Sequence, residues 1–293
     1  MATLREVRSR ISGVKKTQKI TKAMKMVAAA KMRQAQQNVL SARPYARKIG
    51  EILGSLLDAA GEITETLLVE REVRNTAVIV VTADRGLCGA FNSNLIRATH
   101  NHLGTRYPGW NESGRVKLLC VGKKGVDFFG KREYTVSSRF SGAFQQLTFG
   151  TAQEIVRTVL SGFRAGEYDH VEVMYNEFRS TSQQRIVVEQ FLPIPHKGGG
   201  GRKSPAADYI YEPDRAALLG ALLPRHLNFQ IWRILLESNA SEQGARMTAM
   251  ENATRNADEM IDALQLQYNK ARQAAITKEL LEVVAGAEAL AQA

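Results

Sequence analysis

The chain has 293 residues, 44% of them hydrophobic and 24% charged, with a formal net charge of +11. That balance suits a soluble protein with a sizeable core and excludes a disordered chain. No apolar run approaches the ~20 residues of a membrane helix; the longest, AVIVV at 77–81 and LLGALL at 218–223, fall far short, and the charged first fifteen residues carry no apolar block of a signal peptide.

The charge is not spread evenly. Residues 1–48 hold 13 Lys and Arg against one acid, Glu6, a net of +12, which leaves the rest of the chain at −1. A basic surface is therefore local to the opening arm. That arm, residues 3–58, reads as one long helix. Thr3 is its expected N-cap, with Glu6 completing a capping box. Leu4, Val7, Ile11 and Val14 follow the spacing of a helix seam. The next apolar group, Ile20, Met24 and Val27, lies about half a turn away at ~100° per residue, so the helix is expected to bury different faces in its two halves. Pro44 is expected to kink it or end it.

Residues 75–212 change character. Strand-like runs rich in β-branched residues occur at 76–82, 116–122, 170–178, 185–191 and 208–212, with helical stretches at about 92–103 and 151–164. The alternation predicts a mainly parallel α/β sheet, with the 170–191 pair as an antiparallel hairpin at one edge. HKGGGGRKSP at 196–205 reads as a flexible loop. Beyond Asp214 a short helix is expected to end near Pro224, followed by a helix from about Arg225 to about Ala285, roughly 90 Å long. Its seam is clean: Met247, Met250, Thr254, Ala257, Ile261, Leu264, Tyr268, Ala271 and Ala275 step by three and four throughout. The acids between them read as a solvated face. Such a seam needs a partner, and the other long helix is the basic one. The predicted fold is α/β, an antiparallel coiled coil of the N- and C-terminal helices with an inserted Rossmann-like α/β domain. The predicted division is 1–58, 75–212 and 213–293.

Catalytic chemistry is hard to find. TADRGLCGAFN at 82–92 follows a strand and opens a helix, where an open α/β sheet binds phosphate, but Gly86 and Gly89 lack the G-x-G-x-x-G spacing. They read instead as turn glycines, with Asn92 or Asp84 capping the helix. GKKG at 122–125 has Lys117 where a phosphate loop needs its first glycine. His100 and His102 are two apart on a helix and cannot converge on a metal. Cys88 and Cys120 sit in apolar surroundings and read as buried reduced thiols. No catalytic residue, cofactor or metal is expected. Three readings remain: a mechanical or interaction subunit with paired helices, a nucleic-acid binder with a basic arm, and an α/β enzyme with a degenerate nucleotide site. The second is weakened because the arm has no aromatic residue before Tyr45 on which bases could stack.

TQKITKAMKMVAAAKM at 17–32, TADRGLCGAFN at 82–92, SEQGARMTAMENATRNA at 241–257 and YNKARQAAITKELLEVVAGAEAL at 268–290 closely resemble the gamma subunits of F-type ATP synthases, in order along the whole chain. The resemblance implies a single-copy, non-catalytic rotor shaft. Its paired helices would enter a ring of three alpha and three beta subunits, and its α/β domain would touch the epsilon subunit and the c-ring. Proton flow would turn the shaft, and the shaft would drive the beta sites; no nucleic acid is implied. Met24, Arg246, Arg272, Gln273, Thr277 and Glu279 match family positions tied to partner contact or coupling. No cysteine pair lies in an insert of the kind that makes some chloroplast members redox-sensitive, so thiol regulation is not expected. The absence of a transit peptide suggests the cytoplasmic face of a bacterial inner membrane, peripherally attached through the membrane sector.

Overall fold

The computed structural model describes residues 3–59, 66–180, 183–195, 212 and 214–291. The chain forms two compact units, Met1–Val27 with Met247–Ala293, and Ala28–Arg246. Two long helices contribute to both: α1, Leu4–Ala59, and α5, Arg215–Ala291. No helix among the described residues is long and apolar enough to cross a membrane.

In the first unit the two helices run antiparallel. Gln18 bonds Asp258, Thr21 bonds Thr254 at 2.8 Å, and Lys25 bonds Glu251 at 2.6 Å, so partners advance in opposite chain directions. α1 opens with the expected capping box: Thr3 N–H donates to Glu6 Oε2 at 3.0 Å, and Glu6 N–H to Thr3 Oγ1 at 3.3 Å. On α5 the predicted seam holds. Met250, Ala257 and Ile261 are buried and Thr254, Leu264, Tyr268, Ala271 and Ala275 half-buried, while Glu251, Asn252, Arg255, Asp258, Glu259 and Asp262 are exposed.

The face of α1 departs from expectation. Ile20 and Val27 are exposed, at 59% and 55%. The first seam instead runs on through Leu4, Val7, Ile11, Val14, Gln18, Thr21, Lys25 and Ala28, one uninterrupted register of less exposed positions in threes and fours, and of the second group only Met24, beside that register, is half-buried. The seam does not change face; it turns polar. Gln18, Thr21 and Lys25 occupy seam positions because α5 supplies a hydrogen-bonding partner to each. Two acids of the supposedly solvated face, Glu251 and Asp258, are therefore engaged.

The second unit holds a five-stranded sheet. Its strands are β1 (Thr76–Val81), β2 (Val116–Val121), β3 (Thr135–Phe140), β4 (His170–Phe178) and β5 (Gln184–Leu192), in the order β3-β2-β1-β4-β5. All neighbours are parallel except β4 and β5, the antiparallel edge hairpin. β1 is buried along its whole length, as befits a central parallel strand covered on both faces. Ala77, Ile79 and Val81 face a core built with α4 (Phe149–Arg164) through Ile155, Val156, Val159 and Phe163. The same core takes Leu53 and Leu56 of α1 and Leu223, Leu227, Ile231 and Leu235 of α5. Val78 and Val80 face the other way, toward Leu95 and Leu103 of α2 (Phe91–Arg106) and Phe129 of α3 (Lys123–Phe129).

β3 and α3 are absent from the sequence reading. β3 is an edge strand with alternating half-exposed residues and little apolar content, and α3 spans seven residues, too short to show a period. Pro44 and Pro224 end nothing; both lie inside a helix. The one lost donor is outweighed by packing on either side, with Val39 and Ile49 buried around Pro44 and Leu219, Leu223 and Leu227 around Pro224. The run at 208–212 and the loop at 196–205 lie outside the described residues, apart from Glu212.

Candidate functional site: a closed crevice and the coupling positions

The C-terminal edge of a parallel sheet is where this architecture admits phosphate. Here the chain fills that place with its own anion. Asp84, just after β1, is nearly buried; its Oδ1 accepts from Lys123 N–H at 2.9 Å and Gly142 N–H at 2.7 Å, and its Oδ2 from Phe144 N–H at 2.8 Å. Asp84 thus ties the ends of β2 and β3 to that of β1, and it does not cap α2 as anticipated. Asn92 does not cap it either: its Oδ1 accepts from Ala83 N–H at 2.9 Å, and its Nδ2 donates to Cys88 Sγ at 3.2 Å. Gly122 has its own packing reason. Its φ is +87°, and a Cβ there would stand 2.1 Å from the Thr82 carbonyl oxygen. Gly125 is packed as closely, with a Cβ there 2.9 Å from Thr82 Oγ1, and Gly89 turns the chain at φ 58°; Gly86 shows neither requirement.

Arg246 sits against this loop. Its Nη1 bonds Glu242 Oε1 at 2.6 Å, and its Nη2 reaches the Gly86 carbonyl at 3.2 Å. Burial raises the Glu242 pKa, and Arg246 works against that rise. Ala245 packs with Ala83, Cys88 and Phe91. Burial also pushes the Cys88 thiol up and the Cys120 thiol up to about 12, so neither offers a thiolate near neutral pH.

The other anticipated positions lie in the helix pair and do not converge. Met24 is half-buried beside the seam. Arg272, Gln273, Thr277 and Glu279 are exposed, and Thr277 returns its hydroxyl to the Gln273 carbonyl at 2.9 Å. Extending the observed antiparallel register puts the start of α1 level with about residue 272. Past that level α5 carries Ile276, Leu280, Leu281, Val283 and Val284, each at least 49% exposed.

His102 and His170 both bond the carboxylate of Glu172, at 2.6 and 3.3 Å, with Arg106 Nε at 3.2 Å. Burial alone would raise the Glu172 pKa, but the two histidine bonds overcome it and hold the group at about 2 against an ordinary 4.5. A depressed acid stabilises the fold above its unfolded pKa and loses that contribution as pH falls through the folded one. Unfolding free energy should therefore drop by about 3 kcal/mol more between pH 5 and pH 2 in the parent than in Glu172→Gln. Urea titrations across that range check this; parallel curves for the two proteins would show that Glu172 is not depressed.

Comparison with known proteins gives this arrangement a family. The family model described as ATP synthase matches residues 3–290. The ATP synthase gamma chain of Chloroherpeton thalassium is 51% identical over 100% of this chain and 99% of its own. That of Chlorobaculum tepidum is 49% identical over the full length of both. Among solved structures, a chain of the Tetrahymena thermophila mitochondrial ATP synthase central stalk and c-ring aligns with TM-score 0.59 at 25% identity, over 80% of this chain and 99% of that one. A chain of the Euglena gracilis mitochondrial enzyme shares the fold, with TM-score 0.71 at 23% identity over 98% and 94%. The nucleic-acid reading of the basic arm gains no support from any of these. By sequence along its whole length and by fold, the chain belongs to the ATP synthase family, among its gamma chains.

Proposed function

We infer that this chain is the central rotor shaft of a proton-translocating ATP synthase, a subunit without catalytic residues of its own. The observation that carries the reading is the helix pair. Its seam is closed within the chain, yet α5 continues past the start of α1 as a single helix with apolar side chains on its surface. An apolar helix end with no partner in its own chain, among the described residues, suits a lined sleeve in another protein. The sleeve is the ring of three alpha and three beta subunits, and one copy of this chain turns inside it. The arms at 1–58 and 213–293 form the shaft, and 75–212 forms the domain that meets the epsilon subunit and the c-ring. Proton flow turns the ring and shaft, and the asymmetric shaft drives the beta sites through their conformations. The complex is membrane-associated, and this chain is held peripherally at the cytoplasmic face through the membrane sector. Met24, Arg246, Arg272, Gln273, Thr277 and Glu279 are the proposed contact and coupling positions. The test is co-expression with alpha and beta subunits: the expected product is a stable complex with one copy of this chain, and recovery of an alpha–beta ring that excludes it would overturn the reading.

The filled crevice makes a second expectation. Asp84 already occupies the amides that a phosphate would use, so an added anion would meet a carboxylate. Calorimetric titration of the purified chain with magnesium ATP should show no binding at micromolar concentrations. Saturable micromolar binding would restore the enzyme reading.

A further inference from the structure

Torque that enters through the α/β domain must reach α5 without being lost in a twist between the helix and the sheet. Most of that junction is apolar: Leu223, Leu227, Ile231, Ile234 and Leu235 lie on the core that also contains Tyr175 and Val173. Apolar contact resists separation but carries little directional preference. Arg233 adds a directional contact to the junction. Arg233 projects from α5 with Nη2 on Glu189 Oε2 at 2.6 Å and Nη1 on the Tyr175 hydroxyl at 3.1 Å. The Tyr175 hydroxyl in turn donates to Glu189 Oε1 at 2.7 Å. Tyr175 belongs to β4 and Glu189 to β5, so a single guanidinium grips both strands of the antiparallel edge. Glu237, one turn along α5, accepts from the same Nη1 at 3.3 Å and fixes the fork against its own helix.

From this geometry we propose that Arg233 is a torsional lock, a positioning residue that fixes the rotation of α5 about its axis relative to the sheet. A planar fork held at charged and hydroxyl acceptors has a strongly preferred orientation. It stands on a long side chain away from the helix axis, where a small rotation produces a large displacement of the bonded atoms. Arg246 on the Gly86 carbonyl makes a second tie, about 20 Å further along the helix. Torque entering the domain is thereby delivered to a helix held at two points and not to one that can roll on a greasy face.

The proposal rests on the rotor reading, and the test separates the two. The parent, Arg233→Met and Tyr175→Phe chains are each co-assembled with alpha and beta subunits, a rod is attached at Glu112→Cys on the α/β domain, and its angular fluctuations are recorded with the ring arrested. Failure of the parent chain to assemble would sink the rotor reading itself. If the two ties share the load equally, Arg233→Met lowers torsional stiffness roughly two-fold. Tyr175→Phe keeps the buried ring and both charges and should give a smaller fall, with amide protection in β4 and β5 unchanged. An unchanged angular spread in Arg233→Met, or in Tyr175→Phe should Arg233→Met not assemble, overturns the proposal. So does a loss of stiffness accompanied by loss of protection in those strands, because that would mark a packing role alone.

Discussion

Asp84→Ala should lower the unfolding free energy of the purified chain by about 3–6 kcal/mol, since three backbone donors lose a charged acceptor at about 1–2 kcal/mol or more each. The donors lie on two separate segments, Lys123 after β2 and Gly142 with Phe144 after β3, and no other acceptor replaces the carboxylate for them among the described residues. A loss of that size removes a large fraction of the 5–15 kcal/mol typical of a folded domain. Asp84→Asn should also be costly, because its amide group would turn a donor toward one of the three N–H groups. Urea unfolding followed by near-ultraviolet circular dichroism measures the difference. A change under about 1 kcal/mol for Asp84→Ala would mean that water serves these amides as well as the carboxylate does.

The other large effect is functional. Arg272→Ala with Gln273→Ala should leave assembly intact and cut ATP synthesis by about 10- to 150-fold, the equivalent of one charge-assisted hydrogen bond of roughly 1.5–3 kcal/mol at a step that depends on it. Both side chains are exposed and lie near where α1 begins, so they are free to meet a surrounding subunit. The arginine fork and the amide can make contacts in one rotor orientation and break them in the next. The seam residues Leu264, Tyr268 and Ala271 are untouched, so the helix pair should survive. The complex is purified, its stoichiometry confirmed, and synthesis measured in proton-loaded vesicles. Normal rates would show that the two side chains meet only water; failure to assemble would make their role structural.

Much of the fold was legible because its main elements carry strong periods. The α5 seam announced itself in eight apolar positions of nine, β1 in a run β-branched at all but Ala77, and β2 in a run apolar at all but Lys117. The α1 seam was misread for a physical reason. Its middle is polar, and a pattern reading follows apolar residues, so it jumped to Ile20, Met24 and Val27, of which Ile20 and Val27 are exposed and only Met24 borders the seam. Only a view of α5 reveals that Gln18, Thr21 and Lys25 have partners. The closed crevice was half legible: the wrong glycine spacing excluded phosphate, but nothing local assigns Asp84 to amides some 39 to 60 residues away. Arg233 was invisible for the same reason, since its acceptors lie 44 and 58 residues earlier in the chain.

The polar stretch of that seam has an evolutionary consequence. An all-apolar seam tolerates a slip by one heptad, because each knob finds an equivalent hole. A seam with a hydroxyl pair, an amide–carboxylate pair and an ammonium–carboxylate pair in fixed succession does not, because a slip strands all three. The two arms are therefore locked in phase although more than 220 residues of chain separate their paired positions. A deletion of seven residues from one arm above these contacts shifts every pairing beyond it, whereas matched deletions in both arms restore the match. Length changes in the two ends of such a chain should be inherited together, while the stretch between them remains free to gain or lose residues.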